Sequence, residues 1–188
     1  MRPLTVTVVA ALLLATAGCA TEQRAPGCAP PPNEDRLLAE YASDPVLAVK
    51  PDGATQVGQA HRSKACVQLS REDVSATSVT LRFQSSRDYD AAALRRTYEP
   101  AAQKKGWLAD KPPPGPEPPP GDVYLQYCRR VENVTSVLVV HSQPVRRTDV
   151  RPSGPDRPAS PVWHEEPGGI YLTITAEPAR PSCQTTTP

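Results

Sequence analysis

Two histidine-containing segments are the places in the sequence where side chains could carry out chemistry. In the first, His141 ends an apolar run and Ser142 follows it, which raises the question of a serine hydrolase. Nucleophilic catalysis needs an activated serine, a base within reach and an acid that orients the base. No G-x-S-x-G elbow is present, and adjacent residues of a strand point to opposite faces. We therefore expect His141 to be satisfied by a neighbouring side chain.

The second segment is Trp163-His164-Glu165-Glu166. An imidazole with two carboxylates could bind a metal ion or exchange protons in acid–base catalysis. Consecutive side chains diverge, however, and this segment lies in a proline-rich region, so we expect a solvated loop without metal or cofactor. We expect no enzymatic activity; an exported hydrolase that uses His141 or His164 is the alternative.

The amino end has the features of a signal peptide. Arg2 precedes the uncharged run Leu4–Leu14, and small residues follow. The run is too short to cross a bilayer, which takes about 20 apolar residues. Cleavage after Ala15-Thr16-Ala17, with ordinary secretion, is one interpretation of this leader.

The segment Thr16-Ala17-Gly18-Cys19 resembles the lipobox of bacterial lipoproteins. The resemblance implies that residues 1–18 are removed and that Cys19 becomes the lipidated amino terminus. It also implies a cell-membrane protein on the extracytoplasmic face, held by acyl chains, because two chains give lasting attachment. More loosely, the chain is similar to small lipoproteins of high-GC Gram-positive (actinobacterial) bacteria.

Cysteine parity supports this resemblance. The chain has five cysteines, and lipidation of Cys19 leaves an even set, as expected in an oxidising compartment: Cys28, Cys66, Cys128 and Cys183. Four cysteines allow three pairings. If the last strands run up, down and up, Cys128 and Cys183 meet at one sheet edge, which leaves Cys28 for Cys66. We expect structural disulfides, since the chain has no Cys-x-x-Cys and no zinc-type spacing.

Charge excludes one class of partner. The net charge is +1, and removal of Arg2 with the leader makes the chain balanced. A balanced domain has no electrostatic surface for nucleic acid or anionic lipid. Membrane attachment must then come from the anchor on Cys19.

Local patterns predict the elements of the domain. Asn33 is expected to cap a helix over 34–43, and two weak strands are expected at 54–60 and 65–70. Val79, Leu81 and Phe83 alternate with polar residues, which predicts a strand over 78–85.

Asp90 is expected to cap the main helix, with a kink or break at Pro100, and Trp107 is expected to pack on the helix end. Three further strands are centred on 123–127, 137–140 and 170–174, the first two joined by a turn at Glu132-Asn133.

These elements predict an α+β fold with two layers: a mostly antiparallel sheet with one main helix packed on one face, and long proline-rich loops. The domain covers 33–183, after a proline-rich tether at 19–32 and before a disordered tail at 184–188. It contains a proline-rich arm at 111–121 and a long loop at 143–168. Parallel pairing of 78–85 with 123–129 is an open alternative.

The expected function is that of a lipid-anchored surface protein, a non-catalytic module that binds or supports something in the cell envelope. Long loops in compact domains are often functional. The loop at 143–168 is therefore the predicted contact with an envelope protein, and no nucleic-acid partner is expected.

Overall fold

The fold is that of a computed structural model, which describes residues 25–26, 28–68, 74–110, 117–150, 162–180 and 183, and only the backbone of 147–150 and 162–165. The leader, Cys19 and the tail at 184–188 lie outside the described residues. The helical elements are α1 (Glu34–Ala42), a 3₁₀ turn (Pro45–Ala48) and α2 (Ala91–Lys104). The strands are β1 (Ala54–Ser63), β2 (Ser78–Ser85), β3 (Leu108–Ala109), β4 (Val123–Val131), β5 (Val134–Gln143), β6 (Arg146–Val150), β7 (Val162–Glu166) and β8 (Gly168–Ala176).

A six-stranded antiparallel sheet organises the molecule, in the order β1-β2-β8-β5-β4-β3. Because side chains alternate along a strand, every second residue faces the helices, and these residues are apolar, as with Val79, Leu81 and Phe83 of β2. The predicted α+β class with a mostly antiparallel sheet is confirmed. Parallel pairing of 78–85 with 123–129 is wrong, because β2 pairs with β8 in antiparallel fashion.

Both helices bury one face against the sheet. Leu37, Leu38 and Tyr41 of α1 are buried, and Leu94 and Tyr98 of α2 join the same core. Burial of such side chains is the main stabilising contribution, since each large apolar group is worth about 1.5–3 kcal/mol.

The main helix begins as predicted and continues further than predicted. The Asp90 carboxylate accepts a hydrogen bond from the backbone N–H of Ala93 at 2.6 Å. Trp107, after the helix, is buried. The expected break at Pro100 is absent, because the helix runs on to Lys104. Pro100 is exposed, so solvent can hydrate the carbonyl that loses its donor.

Two predictions near the amino end are wrong. Asn33 precedes α1 in the left-handed conformation, with φ of 57°, and its side chain makes no capping hydrogen bond. The expected strand at 54–60 is β1, which continues past His61 to Ser63 with an irregularity between Val57 and His61. The expected strand at 65–70 is wrong for its described residues, where Gln68 makes only an isolated bridge to Val74.

The predicted long loop at 143–168 contains a two-stranded ribbon of β6 and β7. Its register continues that of β5 and β8: Gln143 faces Gly169, and Arg146 faces Glu166. Pro144 and Pro167 lack the N–H groups that would join the two ladders. The expectation that Trp163 to Glu166 form an irregular loop is therefore wrong at the backbone level.

Two disulfides join Cys28 to Cys66 and Cys128 to Cys183. This is the pairing that the strand directions favour. The second bond ties the segment after β8 to β4, and that segment is ordered at least through Arg180: the Arg180 carbonyl accepts from Thr135 Oγ1 at 2.7 Å.

No helix among the described residues is both long and apolar enough to cross a membrane.

Candidate functional site

The sheet has two unlike faces. Its core face is covered by α1, the 3₁₀ turn and α2. Its opposite face, here called the open face, carries the segment 177–183 at one end, where Cys128 and Thr135 contact it. At the other end of the open face, a row of side chains crosses four neighbouring strands: Tyr124 (β4), His141 (β5), Tyr171 (β8) and Arg82 (β2).

This row is a stack of planar groups. The rings of Tyr124 and His141 are 4.0 Å apart between centroids and within 10° of parallel. The rings of His141 and Tyr171 follow at 5.8 Å. The Arg82 guanidinium closes that end of the stack, 5.4 Å from the centre of the Tyr171 ring. Such aromatic and cation–π pairs stabilise by about 0.5–1.5 kcal/mol each.

Glycine allows Tyr171 to take its position. A Cβ atom on Gly169 would lie 2.7 Å from Cε2 of the Tyr171 ring. The ring therefore lies over residue 169 of its own strand, where any larger residue would push it away. Glycine at this point of β8 weakens strand propensity but holds the stack together.

An acid completes the site. Oδ2 of Asp122 lies 2.8 Å from Nε2 of His141, and the carboxylate accepts this hydrogen bond. The Asp122 side chain is only 7% exposed and that of His141 19% exposed. The predicted partner of His141 is thus Asp122. Ser142 points to the core face and is buried, so the adjacent His141 and Ser142 do not form a catalytic pair.

The open end of the stack is Tyr124. It is 45% exposed, and the ring of His141 covers one of its faces. Among the described residues, no aromatic or cationic group stacks on the opposite face of the ring. Desolvation first, and then the nearby Asp122 carboxylate, raise the pKa of the Tyr124 phenol, which keeps its hydroxyl protonated and able to donate.

No family model, no curated protein and no solved structure matches this chain. Fold and site geometry are therefore the grounds for inferring its function.

The other predicted site residues are distributed as follows. Cys19 lies outside the described residues, and the side chain of His164 is not described, although its backbone belongs to β7. The four remaining cysteines form the two disulfides. Among the described residues, no group of three His, Cys, Asp or Glu side chains could hold a metal ion.

A second polar cluster lies on the core face. Asp44 is buried with a side-chain exposure of 0%, and its Oδ2 lies 3.0 Å from Nη2 of Arg129. The same oxygen accepts from Nε1 of Trp107 at 3.1 Å, and Oδ1 accepts from the backbone N–H of Val46. The Arg129 guanidinium also stacks on the Trp107 ring. These bonds join the 3₁₀ turn, the end of α2 and β4.

A cleft of about 370 Å³ opens at the start of α2. Arginine and aspartate side chains line it together, notably Arg87, Arg96, Asp52 and Asp88. Arg87 donates to the Asp52 carbonyl, as does the Tyr89 hydroxyl at 2.6 Å. These contacts brace the turn before β1, and the mixed charges give the cleft no preference for an anion or a cation.

Sequence reasoning found His141 but missed Asp122, Tyr124 and Tyr171. A signal for two of them was present. The two-residue turn Glu132-Asn133 fixes the register of the β4–β5 hairpin, and counting outward from it pairs Tyr124 with His141. Tyr171 gives no such signal, because a long connection separates β5 from β8.

Proposed function

We propose that this chain is an exported, lipid-anchored module without catalytic activity, which binds a component of the cell envelope through the open face of its sheet. Two sequence features support this location: the lipobox-like segment that ends in Cys19, and the even number of the remaining cysteines. The observation that supports binding is the exposed stack of Tyr124, His141, Tyr171 and Arg82. Exposed aromatic groups with adjacent hydrogen-bonding side chains are typical of recognition surfaces.

The binding proposal is tested by site-specific photo-crosslinking in whole cells. A benzoylphenylalanine at position 124 replaces one exposed aromatic ring by another and places the reactive group on the open face. The matched control puts the same residue at position 89, where Tyr89 is half-buried and braces the cleft of α2. We expect a crosslinked product from position 124 and none from position 89. Equal products, or none at 124, would contradict a ligand at the open face.

The proposed membrane attachment through Cys19 is tested separately. Replacement of Cys19 by alanine removes the thiol that would carry lipid, so the variant should leave the membrane fraction. If Cys19→Ala stays as membrane-bound as the parent, the anchor proposal is wrong.

The ribbon of β6 and β7 is the second surface proposed for a protein partner. It continues the paired strands β5 and β8 beyond the six-stranded sheet, and no further described strand pairs with either of its edges. In a Tyr124→Ala background, formaldehyde crosslinking of whole cells should still give products, and deletion of 145–166 should remove them. If every product is unchanged by the deletion, the ribbon takes no part.

An exported hydrolase is the competing proposal, favoured by the 2.8 Å contact of Asp122 with His141, which is the acid–base half of a triad. Among the described residues no hydroxyl or thiol group is hydrogen-bonded to His141. A fluorophosphonate probe distinguishes the two proposals: a hydrolase should be labelled in the parent and lose its label in His141→Gln, whereas a binding module should show no label.

A further inference from the structure

The geometry points to a neutral, polyhydroxylated ligand: we infer that the exposed ring face of Tyr124 and the amides beside the stack bind an uncharged glycan chain. This inference rests on the proposed function and names the ligand class for the same face. Each of its steps comes from a contact, an exposure or a charge of the described residues.

The first step is the free aromatic face. Among the described residues, Tyr124 stacks on His141 through one face only, and the residue is 45% exposed at the β4 side of the stack. The face of an aromatic ring carries partial negative charge, and the axial C–H bonds of a pyranose ring carry partial positive charge, so the two surfaces attract. At the far end, Arg82 already closes the stack. Tyr124 is therefore the end that can accept a further ring.

The second step is the set of hydrogen-bonding groups. Gln143 and Gln84 flank Gly169 in the next row of the open face, on β5 and β2. Neither amide side chain has a hydrogen bond to another described residue. Two residues along a strand span about 7 Å, and neighbouring strands lie about 4.8 Å apart. Gln84 is three strands from Tyr124, so a chain of several sugars that crosses the stack, and not a single ring, would bring hydroxyl groups to both amides. An amide offers donors and an acceptor together, which matches neighbouring sugar hydroxyls.

The third step is charge. Near the stack, the Asp122 carboxylate is held by His141 at 2.8 Å, and the Asp110 carboxylate is held by Arg180 at 2.7 Å. Among the described residues of the row, Arg82 is the cation, and it lies over the Tyr171 ring. A single stacked cation does not make a surface for a polyanion, which needs several. The paired carboxylates likewise give a basic peptide little to bind.

The fourth step concerns shape and apolar area. The large exposed hydrophobic residues of the described chain are scattered: Val57, Val74, Leu108 and Tyr124. A lipid surface or an amphipathic helix needs a contiguous aliphatic patch, which these residues do not form. A ligand of alternating C–H faces and hydroxyl groups fits such a surface better.

The inference is tested by titrating the mature chain with cellohexaose and with hexa-N-acetylchitohexaose, and following backbone amide signals by NMR. We expect a dissociation constant of about 1 mM or tighter, with shifts in the strands that carry Tyr124, His141 and Tyr171. Tyr124→Leu keeps bulk but removes the ring, and should weaken binding about fivefold. Tyr124→Phe should bind like the parent, as should the matched control Tyr89→Phe, in which the aromatic change lies at the cleft.

Several results would overturn the inference. These are the absence of shifts with both sugars, unchanged affinity in Tyr124→Leu, and tighter binding of heparin or of a polylysine peptide than of either sugar. Since Tyr124 is largely exposed, its variants should fold, and a thermal melt confirms this for each. If crosslinking from position 124 succeeds in cells while both sugars fail, the glycan inference is wrong and the binding proposal stands.

Discussion

Each face of the sheet carries an acid, a nitrogen base and an aromatic ring in contact, and the two clusters differ in how far they are buried. On the core face, Asp44 binds Arg129 beside the Trp107 ring, with the carboxylate fully buried. On the open face, Asp122 binds His141 beside the Tyr124 ring, which is 45% exposed.

The difference lies in what each group has left to offer. Asp44 uses both oxygens within the protein, and its aromatic neighbour is enclosed. Tyr124 has one ring face on which no described aromatic or cationic group stacks. A cluster of an acid, a nitrogen base and an aromatic ring therefore indicates a ligand surface only where part of it has no partner; the buried cluster holds elements together.

The largest expected effect concerns the disulfide that holds the segment after β8 against the open face. The Cys128–Cys183 bond closes a loop with a sequence separation of 55, and the Cys28–Cys66 bond one of 38. Chain entropy predicts about 4 kcal/mol for each. Cys128→Ala/Cys183→Ala should cost more than Cys28→Ala/Cys66→Ala, because it also frees the segment that binds Thr135 and Asp110. Urea unfolding measures both losses. Equal losses would mean that this segment adds nothing by packing.

The next effect compares the two acids directly. Asp44→Ala should cost about 3 kcal/mol, because it removes the closer and fully buried carboxylate partner of the largely buried Arg129 cation, whose other carboxylate contact, with Glu40, is longer at 3.4 Å. Asp122→Ala should cost about 1 kcal/mol, because it removes one hydrogen bond from a partly exposed imidazole. Both values come from chemical denaturation at neutral pH. A larger loss for Asp122→Ala would reverse the assignment of structural and ligand-facing clusters.

A smaller effect concerns the support of the stack. Gly169→Ala places a methyl group where the Tyr171 ring lies, so the ring must move; we expect a cost of about 1–2 kcal/mol and changed ring-current shifts for His141. In a Tyr171→Ala background the same substitution should be free of that cost. A double-mutant cycle measures the coupling, and a coupling of zero would contradict the contact.

The smallest expected effect compares two buried tyrosine hydroxyl groups on the core face. The hydroxyl of buried Tyr98 has no hydrogen-bond partner among the described residues, whereas that of Tyr41 lies 2.7 Å from Ser136 Oγ. Tyr98→Phe should leave the free energy of unfolding unchanged or raise it by up to about 1 kcal/mol, while Tyr41→Phe should lower it by about 1 kcal/mol. Denaturant titrations measure both free energies of unfolding. Equal losses for the two variants would contradict the view that only the Tyr41 hydroxyl has a partner among the described residues.

The same tyrosines give a pH dependence. Burial raises the pKa of Tyr41, Tyr98 and Tyr127 in the folded chain. Their folded-state pKa values lie above the unfolded value of about 10, so the stabilising contribution is complete below that pH and is lost as pH rises above it. Tyr98→Phe should make the alkaline loss shallower. Unfolding curves between about pH 8 and pH 11 measure the slope.

Much of the framework could be predicted from local signals. Alternation predicts β2 with its observed bounds, the Asp90 cap predicts the start of α2, and strand direction favours the observed disulfides. The stack could be predicted only in part. Tyr124 and His141 are related by a two-residue turn, but Tyr171 and Arg82 join the row through the non-local pairing of β8 with β5 and β2. Side-chain packing, rather than local propensity, determines that order.

The position of β8 has a consequence for how the molecule is made. It is the last of the described strands along the sequence, yet it lies between β2 and β5 in the middle of the sheet. Until it emerges, the earlier strands form only separate fragments of two and three, which are marginally stable alone. A polypeptide that crosses a membrane through a translocation channel, as proposed for this chain, must stay unfolded on the way. Under that proposal, completion of the sheet by β8 delays assembly until this strand has crossed.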